Sequence, residues 1–184
     1  MIFPDQNFTF MAAVRQRVAQ HRRIACLLID EDEQINGDGV EQVRRERRLL
    51  EFCRRNDILV WITIFQPEFG NFALGTHPLL RDVAYRPRWF RANNFQGEIY
   101  KPRESAFEGT ILQQALRQHG VETLLVVGAY YESCIRRTIE DAVNLHICND
   151  VLSCKDLVRL APDEAGGWPL VTDCYWYMHL GELH

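Results

Sequence analysis

Residues 24–30 read IACLLID, residues 58–65 read ILVWITIF and residues 124–128 read LLVVG. Runs this short and this continuously apolar predict strands covered on both faces, since a strand with one wet face would alternate apolar and polar residues. Between the first two, Val40, Val43, Leu50 and Cys53 mark one face of a helix, while Arg44, Glu46, Arg47, Arg48 and Arg55 fill much of the rest. That is the pattern of an amphipathic crossover. A second helix is predicted from about Thr110 to His119, where Ile111, Leu112, Ala115, Leu116 and His119 fall together and Gly120 supplies the C-terminal cap. A third starts around Glu132 and carries Ile135, Ile139, Ala142 and Val143. Short strands at 98–100 and 145–150 complete an alternating series, which favours a mostly parallel sheet with right-handed crossovers. The expected fold class is therefore α/β, a three-layer, Rossmann-like sandwich.

The chain around these runs has 184 residues, 47% apolar and 25% charged, a composition that suits a compact domain and argues against disorder. At this length a fold buries roughly 70% of the surface its unfolded chain exposes, so no staple is required. The longest clean apolar run, 58–65, is far short of the ~20 residues a membrane helix needs. Residues 1–10 lack a positive segment followed by an apolar stretch, so no secretory signal is expected and the expected location is the cytoplasm. The six cysteines form no C-x-x-C pair, which argues against a disulfide framework or a zinc knuckle. A net charge of −4 gives no electrostatic footprint for nucleic acid.

No repeat or linker-like shift in composition divides residues 1–184, which read as a single domain. The segment from Gln66 to Gly97 holds Pro67, Gly70, Gly75, Pro78 and Pro87 without a consistent period and reads as a functional loop, since loops this long in compact domains are uncommon unless they cover a site, bind something or are disordered. Its Arg81, Arg86, Arg88 and Arg91 form either a solvated rim or a carboxylate-reading patch.

In a parallel sheet the reactive groups collect where strands end and the chain turns into the next helix. Three such ends offer chemistry: Asp30 after the first strand, Lys101 after the short strand at 98–100, and Cys134 a few residues beyond LLVVG. The lysine stands out because the 21 basic residues are 19 Arg and two Lys, Lys101 and Lys155. Each alone has an ordinary explanation as a helix cap, a solvated amine or an inert core thiol. Their shared edge raises the odds. A thiol at a helix start, beside an ammonium, is expected to favour thiolate. Asp30 could take its proton and deliver it to a leaving amine. Backbone N–H groups of the 128–134 turn, at Tyr130 and Cys134, are candidates for holding an oxyanion.

The stretches ACLLID (25–30) and IYKPRESAFEGTILQQALRQHGVETLLVVGAYYESCIRRTIEDA (99–142) carry K-x-x-x-S-A-F-x-G-T and G-x-x-x-x-x-C in that order. In these elements the chain resembles the isochorismatase-like cysteine hydrolase superfamily. The resemblance implies a parallel sheet flanked by helices and a catalytic Asp-Lys-Cys triad at Asp30, Lys101 and Cys134. It also implies a non-proline cis peptide at Ala129–Tyr130. Nicotinamidases of that superfamily carry a D-x-H metal site after the second strand, where this chain reads FQPEFGNF, so neither a metal nor another cofactor is expected. Gln66 and Tyr130 resemble substrate-contacting positions of isochorismatases, and Phe107 is expected to help shape the pocket. Those enzymes cleave a vinyl ether by protonation from the Asp and lack the nucleophilic cysteine. Its presence here favours acyl chemistry.

The expected function is thus metal-independent cleavage of a small amide or ureide C–N bond through a covalent acyl-enzyme. The alternatives are isochorismatase-type vinyl ether hydrolysis with Asp30 as acid, and a non-catalytic binding protein on the same fold. The acidic run Glu31, Asp32, Glu33 replaces the family's usual Met-Gln and bears on whether turnover is permitted. LLIDEDE with IYKP also suggests a receiver domain, but the second strand ends in Gln-Pro without a phosphate-accepting aspartate. D-x-D at 30–32 hints at a haloacid-dehalogenase-like phosphatase, but the usual late Asp pair is missing. His21, His119 and His146 read as surface or core residues on helices or strands. Tyr175, Trp176 and Tyr177 read as core or a subunit contact, and a homo-oligomer with a small-molecule substrate is expected.

Overall fold

The computed structural model describes residues 10–30, 40–65, 96–154, 157–158 and 175–179. In chain order the elements are α1 (Phe10–Ala19), β1 (Ile24–Ile29), α2 (Val40–Arg55), β2 (Leu59–Phe65), β3 (Gly97–Lys101), α3 (Leu112–Gln118), β4 (Thr123–Gly128), α4 (Arg136–Asn144), β5 (Asp150–Cys154) and β6 (Tyr175–His179). A π-helical turn, Tyr131–Ile135, leads into α4. The strands form one sheet in the order β3-β2-β1-β4-β5-β6. All neighbours run parallel except β5 and β6. The expected α/β class and mostly parallel sheet are what the chain adopts.

Why the strands are apolar throughout follows from the layers. On β1, Ala25, Leu27 and Ile29 enter one buried cluster with Leu112, Leu116, Ile135 and Ile139 from the α3 and α4 side. Ile24, Cys26 and Leu28 enter a second with Phe10, Val14, Leu49, Leu50 and Cys53 from α1 and α2. The period-2 geometry of a strand sends alternate side chains to opposite faces, so a strand between two helical layers needs apolar residues at every position. The order reverses direction at β1, whose neighbours are β2 and β4. This is a switch point, where the C-terminal ends of adjacent strands open a crevice.

Several local readings are corrected. The strand expected at 145–150 lies at Asp150–Cys154. Residues 145–147 instead close α4, with Leu145 N–H donating to Asp141 O, Ile147 N–H donating to Ala142 O, and His146 at φ 46°. Glu46, placed on the polar side of α2, is fully buried, because it shares the helical face of Leu49, Leu50 and Cys53. Helix α1 was not anticipated, nor was the buried ion pair from its Arg17 to Asp150 of β5 at 3.2 Å. His21 lies in a turn at φ 55° rather than in a helix or strand. Tyr175, Trp176 and Tyr177 belong to the antiparallel strand β6. Among the described residues no helix is long and apolar enough to cross a membrane.

Candidate active site

Strands β1 and β4 meet closely where the site begins. Gly128 ends β4 at φ 117°, and a Cβ there would lie 2.2 Å from Ile29 O, so only glycine allows this approach. Ala129 N–H then donates to Ile29 O at 2.9 Å. The next peptide, Ala129–Tyr130, is cis, as the resemblance implies. Asp30, one residue beyond β1, takes a left-handed φ of 48°. Its N–H faces Thr63 O at 3.2 Å and Thr63 Oγ1 at 3.3 Å, and the Thr63 hydroxyl donates to Asp30 Oδ1 at 3.1 Å.

Lys101 ends β3, in register with Phe65 at the end of β2. Its side chain is 0% exposed, and Nζ lies 2.7 Å from Asp30 Oδ2. The amine also donates to Arg103 O at 3.2 Å, to Glu104 O at 3.0 Å and towards Cys134 Sγ at 3.2 Å. It stands 4.7 Å from the centre of the Phe65 ring, in cation–π range. The following loop is held by its own motif. Thr138 Oγ1 of α4 accepts from Ala106 N–H at 3.0 Å, and the Thr110 hydroxyl donates to Ala106 O at 2.6 Å. Gly109, at φ 71°, passes Pro102 where a Cβ would come within 2.9 Å of the ring. The K-x-x-x-S-A-F-x-G-T spacing therefore builds a rigid carbonyl cage for an amine in the interior.

Cys134 sits in the π-helical turn and is the one cysteine among the described residues that is not buried outright; Cys26, Cys53, Cys148 and Cys154 are. The expectation of a favoured thiolate is corrected. Burial, followed by the charge of Asp30 and a hydrogen bond to it, pushes the Cys134 thiol up to about 12, and the opposing pull of Lys101 is the weaker influence. The Cys134 sulfur thus lies between the Asp30 carboxylate, which favours its thiol form, and the Lys101 ammonium, which donates towards it at 3.2 Å.

Asp30, Lys101 and Cys134, separated by 71 and 33 positions in the chain, thus share one edge of the sheet. Of the other candidates, Tyr130 is half-buried at the start of the turn. Its N–H and that of Cys134 both belong to the backbone that leads β4 into α4. Phe107, expected to help shape the pocket, is 6% exposed and packs in the buried cluster with Ala106 and Leu112. Gln66, the acidic run 31–33 and the arginines of the 66–97 loop lie outside the described residues. Two neighbours of the site were not picked out beforehand, Thr63 and Phe65. Thr63 had a signal, being the single polar residue in ILVWITIF. A cavity of about 360 Å³ borders the segment that follows Lys101, lined in part by Phe65, Arg103, Glu104, Ser105 and Arg137.

Comparison with known proteins identifies the family and the fold. The family model described as an isochorismatase domain matches residues 25–147. N-carbamoylsarcosine amidase from Arthrobacter sp. is 47% identical over 45 residues, 24% of this chain. The chain thus matches 17% of that enzyme's length. Among solved structures, a cysteine hydrolase from Pseudomonas syringae pv. phaseolicola superposes with a TM-score of 0.62 at 19% identity, over 79% of this chain and 78% of that one. N-carbamoylsarcosine amidase from Thermoplasma acidophilum gives 0.59 at 18% identity, over 77% and 87%. Nicotinamidase from Bacillus subtilis gives 0.57 at 19% identity, over 74% and 86%. At these identities the likeness is one of fold.

Proposed function

The chain belongs to the isochorismatase family of hydrolases, and from that premise we propose that it cleaves a small amide or ureide C–N bond through an acyl-enzyme on Cys134. The observation that carries this reading is the single buried amine between the other two groups, with Lys101 Nζ 2.7 Å from Asp30 Oδ2 and 3.2 Å from Cys134 Sγ. In this reading the sulfur attacks the carbonyl carbon as its proton passes to Asp30, and N–H groups of the turn at Tyr130 and Cys134 receive the oxyanion. Collapse breaks the C–N bond, and Asp30 returns the proton to the departing amine. Water then adds to the thioester, losing a proton to Asp30; collapse breaks the C–S bond and releases the acid, and Asp30 returns that proton to the departing sulfur. A thiol held up at about 12 suits this sequence, because its proton leaves only as the S–C bond forms. Lys101 steadies the carboxylate and the sulfur as charge moves between them. The amidase likeness over 45 residues supports the choice of bond.

The test is a panel of small amides, ureides and isochorismate with the wild type and Cys134→Ala. The expected result is turnover of an amide or ureide that falls by about 10³-fold or more in the variant, with a transient mass adduct on Cys134 in the wild type. Turnover of isochorismate undiminished by Cys134→Ala would replace this reading with vinyl ether hydrolysis in which Asp30 is the acid.

A further inference from the structure

We propose that Thr63 is the positioning residue for Asp30, fixing which carboxylate oxygen faces the thiol. The inference rests on the reading of Asp30 as the group that exchanges a proton with Cys134. A carboxylate held at one oxygen can still turn about its Cβ–Cγ bond, a broad and nearly two-fold torsion. Lys101 holds Oδ2, and the Thr63 hydroxyl holds Oδ1 at 3.1 Å. Together they leave one orientation.

Thr63 is built to do this. It is 1% exposed and lies on an interior strand, paired in register with Ile29, the residue before Asp30. As a β-branched residue it has few side-chain rotamers. Its hydroxyl oxygen faces the Asp30 N–H at 3.3 Å, which leaves its own hydrogen to point at Oδ1. The left-handed turn at Asp30 leaves the strand path, and Thr63 contacts it through Oγ1 and through its main-chain carbonyl. The same residue therefore anchors both the backbone and the carboxylate of Asp30. A threonine required only for packing would be replaced by valine without consequence.

The experiment measures the rate at which iodoacetamide alkylates Cys134 at one fixed alkaline pH, read by mass spectrometry, in the wild type, Asp30→Asn, Thr63→Val and Thr63→Ser. Asp30→Asn sets the size and direction of the carboxylate's influence on the sulfur. Thr63→Val is expected to move the rate in that same direction by about threefold or more, and Thr63→Ser, which keeps the hydroxyl, to restore it. On any substrate found by the panel, Thr63→Val is expected to lower kcat by about tenfold or more with KM little changed. If Asp30→Asn changes the rate and Thr63→Val does not, the positioning role is wrong and the reading of Asp30 stands. No effect of Asp30→Asn overturns both. Should Thr63→Val lower the melting temperature by more than ~10 °C, the pair Thr63→Ala and Thr63→Ser reads the same difference, loss of the hydroxyl against its retention.

Discussion

Cys134 and Cys148 share a property that a sequence does not display: burial is the first cause of a thiol held up at about 12 in each, with a neighbouring carboxylate, Asp30 or Asp150, as the second. Both groups have a folded pKa above the ordinary thiol value of 9.0, so the folded chain keeps protons that the unfolded chain releases earlier. Their contribution to stability is complete below the ordinary thiol range and is lost as the pH rises from about 9 towards 12. The urea midpoint is expected to fall across that window, and the fall to be shallower in Cys148→Ala, which removes one of the two thiols. A pH dependence identical in the two proteins would refute this account. The residues that meet there were legible because their types were scarce: one of two Lys, near a strand end, beside 19 Arg, and a Cys just past a strand. Protonation was not legible, since it depends on how much water the fold removes from around the sulfur.

At the level of elements, β1, β2 and β4 were readable because each is apolar on both faces and needs no partner to be recognised. Strand β5 was displaced by five residues because Leu145, Ile147 and Cys148 look like strand residues, whereas the end of α4 claims the first two for its cap. Glu46 misled for the opposite reason, a charged side chain on the buried face of α2. The turn after β4 shows how much one position can demand. Gly128→Ala would set a methyl against Ile29 O at 2.2 Å, in a backbone conformation that a side chain resists. The expected loss is about 3 kcal/mol or more, measured by chemical denaturation, together with loss of the turnover proposed above, because Ile29 directly precedes Asp30. A variant with wild-type stability would mean that β1 and β4 can separate at this point at little cost.

Over the whole molecule, the site exists only where four elements arrive together: the end of β1 brings the carboxylate, β2 the threonine, β3 the amine and the turn before α4 the sulfur. The sheet order that joins them could not be read from any one segment, because right-handed crossovers fix the hand of each connection and leave the order of the strands open. Residues 66–95 and those beyond Ser153 gave little to the sequence reading, because their apolar residues recur with no consistent period. The interior amine has a practical consequence. Lys101 is sealed from solvent and surrounded by acceptors, so an acetylating reagent can reach it only when the chain opens. Its modification in the native protein should therefore follow the population of the open form and quicken with urea, whereas rapid labelling without denaturant would contradict the sealed position. The chain carries, in one of its two lysines, a gauge of its own opening.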